Sequence, residues 1–197
     1  MFKDLVKKNR SYRAYNEKRK VTREEILDIL DCARFTASTG NIQALKFYAA
    51  NAWEETEAIL ACTKWAAALP ELGLPVPGTH PTAFVVVLLD RSIDENMARF
   101  QPDCGVAGQT ITLAAAEKGL GGLIIRNFNA GALKTALQLP ENLVPMMVIA
   151  LGEPAEEVSL EEVGPDGKTA YYRTDGNRHH HVPKRSLSEL VISGGLV

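Results

Sequence analysis

The sequence predicts a single domain of the α+β class, and three observations support this. Segments with strand and helix patterns alternate along the chain, but long irregular stretches interrupt a doubly wound arrangement. The 197 residues are 46% hydrophobic and 23% charged, which is enough to form a sizeable core. Composition turns polar and turn-rich at Glu153, which predicts a core of residues 1–152 followed by an extension of residues 153–197.

In the first half of the chain, local patterns predict two helices, a strand and a third helix. "MFKDLVKKN" forms a short helix with one apolar face. Thr22 and Glu25 have the spacing of a capping box, so a longer helix begins there and ends near the polar turn at Gly40. "LKFYAAN" predicts a strand and "EETEAILACTKWAAA" a helix. The proline-rich stretch Leu69–Pro81 predicts an irregular covering loop.

The second half contains the most apolar segments. "TAFVVVLLD" and "LVPMMVIALG" are continuous apolar runs that predict buried strands. "DCGVAGQTITLAAAEKG" predicts a helix of small residues that packs closely on a neighbour or on a dimer mate. "GGLII" predicts a short strand and "NAGALKTALQ" a helix. The polar tail predicts an arm that crosses a surface and docks through "RSLSELVI".

Positive charge is concentrated at the start of the chain. Residues 1–23 hold nine Lys/Arg and two acids, a net charge of +7, whereas the whole chain has −2. Within this segment Arg10, Ser11 and Arg13 offer two guanidinium groups and a hydroxyl, which suit a phosphate group. A solvated charged surface is the alternative. A nucleic-acid partner is not predicted, because only 7% of residues are aromatic and no stacking motif is present.

Other residue types narrow the choice of compartment and chemistry. Cys32, Cys62 and Cys104 are far apart and form no CxxC pair, which favours a reducing cytoplasm over a disulfide framework. The chain shows no signal-peptide pattern and no apolar run long enough to span a membrane, so we expect a cytoplasmic protein. The consecutive histidines His179–His181 lack a completing ligand set, and we predict no metal. Because no catalytic triad can be assembled, a cofactor would carry the chemistry.

Three further clusters are candidate binding elements. The loop Ser38–Gln43 carries amides that can recognise a heterocycle edge, or it is an ordinary polar turn. Gly119, Gly121 and Gly122 let the backbone approach a flat ligand, or cap a helix. They do not form the GxGxxG dinucleotide motif. Lys184 and Arg185 form a second cationic pair.

Taken together and in this order, these elements resemble the nitroreductase family of FMN-dependent oxidoreductases. The resemblance covers almost the whole chain, through "NRSYRAY", "TASTGNIQALKFY", "AAAEKGLGGLIIRNFN", "MMVIALGEPAE" and "HHVPKRSL". It implies a mainly antiparallel central sheet flanked by helices. It also implies a homodimer in which each C-terminal arm wraps around the partner and two FMN molecules lie at the interface.

The resemblance also implies which residues contact FMN. The phosphate and ribityl chain would contact the N-terminal cluster and the C-terminal cations, the Ser38–Gln43 loop would come from the other subunit, and the glycine-rich strand would lie beside the isoalloxazine ring. There the backbone N–H of Arg126 or Asn127 would face flavin N5. The matched residues are Arg10, Ser11, Tyr12, Arg13, Ser38, Gly40, Asn41, Gln43, Gly121, Gly122, Ile124, Arg126, Asn127, Lys184 and Arg185.

The implied activity is reduction of a small-molecule acceptor, such as a nitroaromatic compound or a quinone, by a ping-pong cycle. NADH or NADPH would reduce FMN and leave before the acceptor binds, so no protein side chain is predicted to be catalytic. Specialised activities such as reductive dehalogenation, and an FMN-binding or storage protein without turnover, remain alternatives.

Five positions depart from the family pattern. Asn9 stands where the family often has arginine, and Ala44–Leu45 stand where it often has a proline–tryptophan pair. Asn127 replaces a frequent glycine. Arg126 is unusual so near the flavin, and a contact to a substrate carboxylate, a contact to a dinucleotide phosphate and simple exposure to solvent are all open.

Overall fold

The computed structural model describes residues 1–66, 69–176 and 178–192. The chain divides into two compact units, Met1–Ala155 and Glu156–Val197. The helices are α1 Phe2–Lys8, α2 Arg23–Arg34, α3 Trp53–Ala61, α4 Gln101–Glu117, α5 Ala130–Ala136 and α6 Leu187–Leu190. The strands are β1 Leu45–Ala50, β2 Ala83–Asp90, β3 Gly121–Ile125, β4 Leu143–Gly152, β5 Glu157–Glu162, β6 Tyr172–Thr174 and β7 His179–Lys184.

A four-stranded antiparallel sheet, in the order β1-β2-β4-β3, organises the first unit. All eight residues of β2 are buried, which explains why this segment reads as a continuous apolar run. Alternate residues of β2 enter different cores. Val85 and Val87 pack with residues of α2 and α4, whereas Phe84 and Val86 pack with residues of α3 and α5. The predicted antiparallel sheet flanked by helices is therefore confirmed.

Local sequence signals fix where α2 begins. The Thr22 hydroxyl accepts from Glu25 N at 3.1 Å, and the Glu25 carboxylate accepts from Thr22 N at 2.9 Å, which confirms the capping box. A hydrogen bond from Arg19 also lowers the pKa of Glu25 to about 2. The helix ends at Arg34, earlier than predicted, and buries Ile26 and Ile29.

The small residues of α4 allow the close packing that the sequence predicts. A Cβ atom at Gly108 would lie 2.9 Å from Met147 Sδ and 3.3 Å from Ile124 Cδ1. Glycine therefore lets α4 approach β3 and β4 more closely than alanine would. Gly119, at φ 77°, follows the end of this helix, which confirms a helix-capping role for one of the three glycines.

The predicted helix "EETEAILACTKWAAA" is too long at its C-terminal end, because α3 ends at Ala61. The following residues pair instead with a distant segment: Thr63 forms a β-bridge with Phe128, and Lys64 N donates to Asn127 O at 2.8 Å. These contacts take backbone groups that a longer helix would need. The last two residues of that prediction, 67 and 68, lie outside the described residues. The proline-rich stretch is a loop with one short turn, Pro70–Leu72, as predicted.

The second unit contains a sheet that the sequence analysis did not predict. Its order is β5-β7-β6, with β5 parallel and β6 antiparallel to β7. Arg173 and Glu156 form an ion pair whose side chains are almost fully buried. The unit therefore has an ordered interior despite its polar sequence, and the predicted docking through "RSLSELVI" stays a prediction. The assignment of residues 1–152 to flavin binding and 153–197 to a wrapping extension stays a prediction.

Candidate active site

The cationic N-terminal segment lies against the glycine-rich strand, although the two are far apart in the sequence. Ser11 forms a parallel β-bridge with Gly122, and Tyr12 N donates to Gly122 O at 3.2 Å. The Tyr12 hydroxyl also donates to Lys8 O at 3.3 Å. Two of the predicted binding elements therefore form one continuous surface within the first unit.

Close packing explains two of the glycines in this surface. A Cβ atom at Gly121 would lie 2.3 Å from Cδ2 of the Tyr12 ring, and one at Gly122 would lie 2.8 Å from Thr112 Cγ2. Side chains do not tolerate such distances, so both positions need glycine for packing alone. Their contact with a flat ligand stays a prediction.

Arg10 and Arg13 are held in place by backbone carbonyl groups. Arg10 Nη2 donates to Val6 O at 2.8 Å, and Arg13 Nη1 donates to Ser11 O at 3.0 Å. Arg13 is 8% exposed, and burial lowers the pKa of the half-buried Arg10. Arg10 Nε is buried without a hydrogen-bond partner among the described residues. A buried cation with an unsatisfied donor is costly, and an anion beside it would relieve that cost.

The outer edge of β3 presents backbone groups beside this segment. β3 pairs with β4 on one side, and the N-terminal segment meets its other side at Gly122. Because Gly122 O points away from β4, the alternation of an antiparallel strand directs N–H and C=O of Ile124 to the same open side. In the part of the chain that the structure describes, no strand covers Ile124 there.

Arg126 and Asn127 follow the end of β3, where the backbone is fixed but one side chain is free. Asn127 O accepts from Lys64 N, and Asn129 N donates to Cys62 O at 2.8 Å. Arg126 is exposed and makes no hydrogen bond or ion pair with any described residue. Burial raises the pKa of Cys104 to about 11, and the charge of Arg126 opposes that rise, which places the guanidinium near the start of α4.

The Ser38–Gln43 loop is fixed to α4 by a buried carboxylate. Asp103 accepts from Ser38 Oγ at 2.8 Å, from Thr39 N at 2.9 Å and from Thr39 Oγ1 at 2.6 Å. Burial raises the pKa of Asp103, but these hydrogen bonds outweigh it and the net shift is downward. The sequence analysis missed Asp103, because an acid in the first turn of a helix is ordinary and carries no distinguishing signal.

The polar groups of this loop satisfy one another. Gly40, Asn41 and Gln43 have left-handed φ angles of 57°, 55° and 55°. Gln43 Nε2 donates to Asn41 Oδ1 at 3.2 Å, and both side chains are exposed. Among the described residues, no hydrogen bond joins the loop to Arg10–Arg13 or to β3. Its contact with flavin from another subunit stays a prediction.

The predicted C-terminal cations lie in the second unit. Lys184 ends β7, Arg185 precedes α6, and both are exposed. Arg185 Nη1 pairs with Glu189 Oε1 at 3.2 Å. Their contact with phosphate stays a prediction.

The three consecutive histidines alternate across β7. His179 Nε2 lies 2.7 Å from Ser159 Oγ and His181 Nδ1 lies 2.5 Å from Glu161 Oε1, whereas the middle ring, His180, is buried. Within the described ranges, no group of three or more His, Cys, Asp or Glu residues could hold a metal ion.

Two cavities border these elements. One, of about 410 Å³, lies between α2, the Ser38–Gln43 loop, β1 and α4. The other, of about 550 Å³, lies between the chain after α3 and the proline-rich loop, and it includes Asn127 in its wall. Each provides space beside a predicted flavin-binding segment.

The sequence profile of the Nitroreductase family matches residues 6–153. The chain belongs to the nitroreductase family. This membership makes it an oxidoreductase of a flavin-dependent family. The match spans the N-terminal cationic segment, the Ser38–Gln43 loop and β3, which are the elements described above.

Individual relatives agree with this assignment. A protein of Archaeoglobus fulgidus with the provisional name NADH dehydrogenase/NAD(P)H nitroreductase is 28% identical over 163 residues, covering 80% of this chain and 88% of its own. A nitroreductase family protein from Clostridium novyi NT has a TM-score of 0.64 at 24% identity, covering 78% and 86% of the two chains. An FMN-dependent nitroreductase from Clostridium difficile has a TM-score of 0.64 at 20% identity, covering 78% and 87%. At these identities the structural likeness shows the fold alone.

The structure also shows what stands at three of the positions that depart from the nitroreductase pattern. Asn9 Nδ2 donates to Thr112 Oγ1 at 2.9 Å, so a neutral contact with α4 occurs where the family often has an arginine. Ala44 is fully buried and Leu45 begins β1.

None of the described helices is long and apolar enough to cross a membrane.

Proposed function

We propose that this nitroreductase binds FMN and uses NADH or NADPH to reduce nitroaromatic, quinone or related acceptors by a ping-pong mechanism. One observation carries the proposal: Arg10 is half-buried, with a buried unsatisfied Nε, on the surface that Ser11 and Gly122 share. The site thus has a fixed donor set for an anion next to an open strand edge. We propose that it acts in the cytoplasm.

The residues present fit the group. Arg10 and Arg13 would hold the phosphate by charge-assisted hydrogen bonds, each contributing about 1.5–3 kcal/mol. The outward backbone groups of Ile124 suit the polar edge of a heterocycle. Arg126 and Asn127 directly follow β3, and the backbone N–H of either residue would be the donor to flavin N5. When bound, the flavin supplies the electron transfer from NAD(P)H to the acceptor, and the protein positions both and excludes water.

We also propose a homodimer with exchanged C-terminal arms. The Ser38–Gln43 loop makes no hydrogen bond to the N-terminal cluster among the described residues, which is what a loop serving the partner's flavin would show. In the second unit Leu187, Leu190 and Ile192 are 76%, 64% and 96% exposed, and apolar side chains so exposed suit burial against another chain.

The test is the visible spectrum of the purified protein, followed by identification of any released chromophore. We expect a flavin spectrum, FMN in the supernatant after denaturation, and bleaching by NADH or NADPH that an added nitroaromatic or quinone reverses. A colourless protein that takes up no added FMN would overturn the proposal. A flavin that NAD(P)H does not bleach would favour a binding or storage protein.

A further inference from the structure

The cavity beside the proline-rich loop is lined mainly by apolar side chains. Its volume is about 550 Å³, and Leu60, Trp65 and Leu74 provide apolar walls. The indole of Trp65 is oriented from two sides: Nε1 donates to Thr63 Oγ1 at 2.7 Å, and the ring meets the Tyr15 ring edge-on at 6.4 Å. A fixed aromatic wall of this kind suits a flat, aromatic ligand.

One cation belongs to this cavity and no acid does, among its described lining residues. Lys64 is exposed, and its ammonium group makes no hydrogen bond or ion pair with any described residue. Its backbone N–H bonds Asn127 O at 2.8 Å, which ties it to the segment after β3. Arg126, adjacent to Asn127, is a second cation without an ion pair among the described residues, but it does not line the cavity. Its charge instead opposes the rise that burial causes in the pKa of Cys104, near the start of α4.

We propose that this cavity binds the acceptor, and that it selects an aromatic acceptor carrying a carboxylate, which the Lys64 ammonium group pairs. The acceptor role rests on the proposed function, because Asn127 connects the cavity to the segment expected beside the flavin. The apolar walls bind the ring, and the Lys64 ammonium group distinguishes an anionic acceptor from a neutral one of the same shape.

The test compares para-nitrobenzoate with para-nitrobenzamide, which differ mainly in charge. Dissociation constants are measured by calorimetry with the oxidised protein in the absence of NAD(P)H, and kcat/KM is measured with NAD(P)H. The variants are Lys64→Gln, Arg126→Gln and, as the matched control, Lys18→Gln at an exposed lysine outside the cavity. We expect Lys64→Gln alone to reduce the preference for the carboxylate, by about three- to tenfold at an exposed cation.

Three outcomes overturn the inference. Unchanged preference in Lys64→Gln removes the cation from the site. Loss of the preference for the carboxylate in Arg126→Gln instead would mean that the carboxylate binds Arg126, outside the cavity. An equal loss of preference in Lys18→Gln would mean that the preference depends on the overall charge of the protein and not on Lys64. A protein without flavin would overturn the proposed function, whereas calorimetry still decides the binding site because binding requires no turnover.

Discussion

The two cationic pairs near the ends of the chain are held in different ways. Arg10 is half-buried and Arg13 is buried. Each donates a hydrogen bond to a backbone carbonyl group within the N-terminal segment. Lys184 and Arg185 are exposed, and Arg185 pairs with the side chain of Glu189. The family resemblance assigns both pairs to the same phosphate group.

This difference shows how much of the cost of ordering a side chain is met before a ligand arrives. Fixing a long cationic side chain costs about 1.5–2 kcal/mol of rotamer entropy. The N-terminal arginines have lost most of that freedom on folding, so a phosphate gains nearly the full interaction. The exposed pair must still be ordered and is screened by salt. We therefore expect the N-terminal pair to dominate FMN affinity.

The largest effect should come from Arg10→Ala with Arg13→Ala. Losing two charge-assisted hydrogen bonds of about 1.5–3 kcal/mol each should weaken FMN binding by about a hundredfold or more. Titration of the flavin-free protein with FMN, followed by flavin fluorescence, measures this. Circular dichroism and thermal unfolding establish whether the variant is folded.

The matched comparison is Lys184→Ala with Arg185→Ala, for which we expect a loss of about tenfold or less. A larger loss from this pair than from the N-terminal pair would contradict the argument from preorganisation. Stoichiometric flavin retained in the Arg10/Arg13 variant would place the phosphate elsewhere.

A smaller effect should follow from Gly121→Ala, which disturbs what holds the N-terminal segment. The new Cβ atom would lie 2.3 Å from the Tyr12 ring, so the segment carrying the arginines must move. We expect the free energy of unfolding to fall by about 1–3 kcal/mol, as for other overpacked sites. Urea denaturation measures it, and FMN affinity should fall with it.

Two further variants separate this clash from a general glycine effect. Gly131→Ala in α5 places a methyl group in ordinary contact, at 3.6 Å from Asn129 Oδ1, and should be neutral or stabilise by about 0.5–1 kcal/mol. Adding Tyr12→Leu to Gly121→Ala should restore part of the stability. No recovery would show that the Tyr12 ring is not the obstacle.

Much of the first unit could be predicted because its signals are local. The apolar run of β2 and the capping box of α2 each lie within about ten residues of sequence, and the structure confirms both. The end of α3 could not be predicted in the same way, because the partner of Thr63 is the distant Phe128. The strand β5 escaped prediction because its exposed and half-buried residues, such as Glu157 and Glu161, read as a polar turn-rich tail.

In the candidate site too, the local features could be predicted from the sequence and the long-range contacts could not. Residue types that bind a phosphate, such as Arg10 and Arg13, can be recognised in the sequence. The glycine-rich strand can be recognised as well. Their adjacency through Ser11 and Gly122 is a long-range pairing that no local pattern encodes. Asp103, which fixes the Ser38–Gln43 loop, is likewise visible only once the loop and α4 are in place.

The smallest effect should come from Glu189→Gln, which removes the charge that pairs with Arg185. Hydrogen bonds from the backbone N–H and hydroxyl of Ser186 lower the pKa of Glu189, so the carboxylate is ionised at neutral pH. It would compete with the predicted phosphate contact of Arg185. Glutamine keeps an acceptor for Ser186 N–H but not the charge. We expect FMN to bind up to about threefold more tightly at about 0.01 M salt, and unchanged at about 1 M, where the Debye length is about 3 Å. An effect that persists at high salt would contradict this screened-charge explanation and would mean that Glu189 competes through its direct hydrogen bond to Arg185.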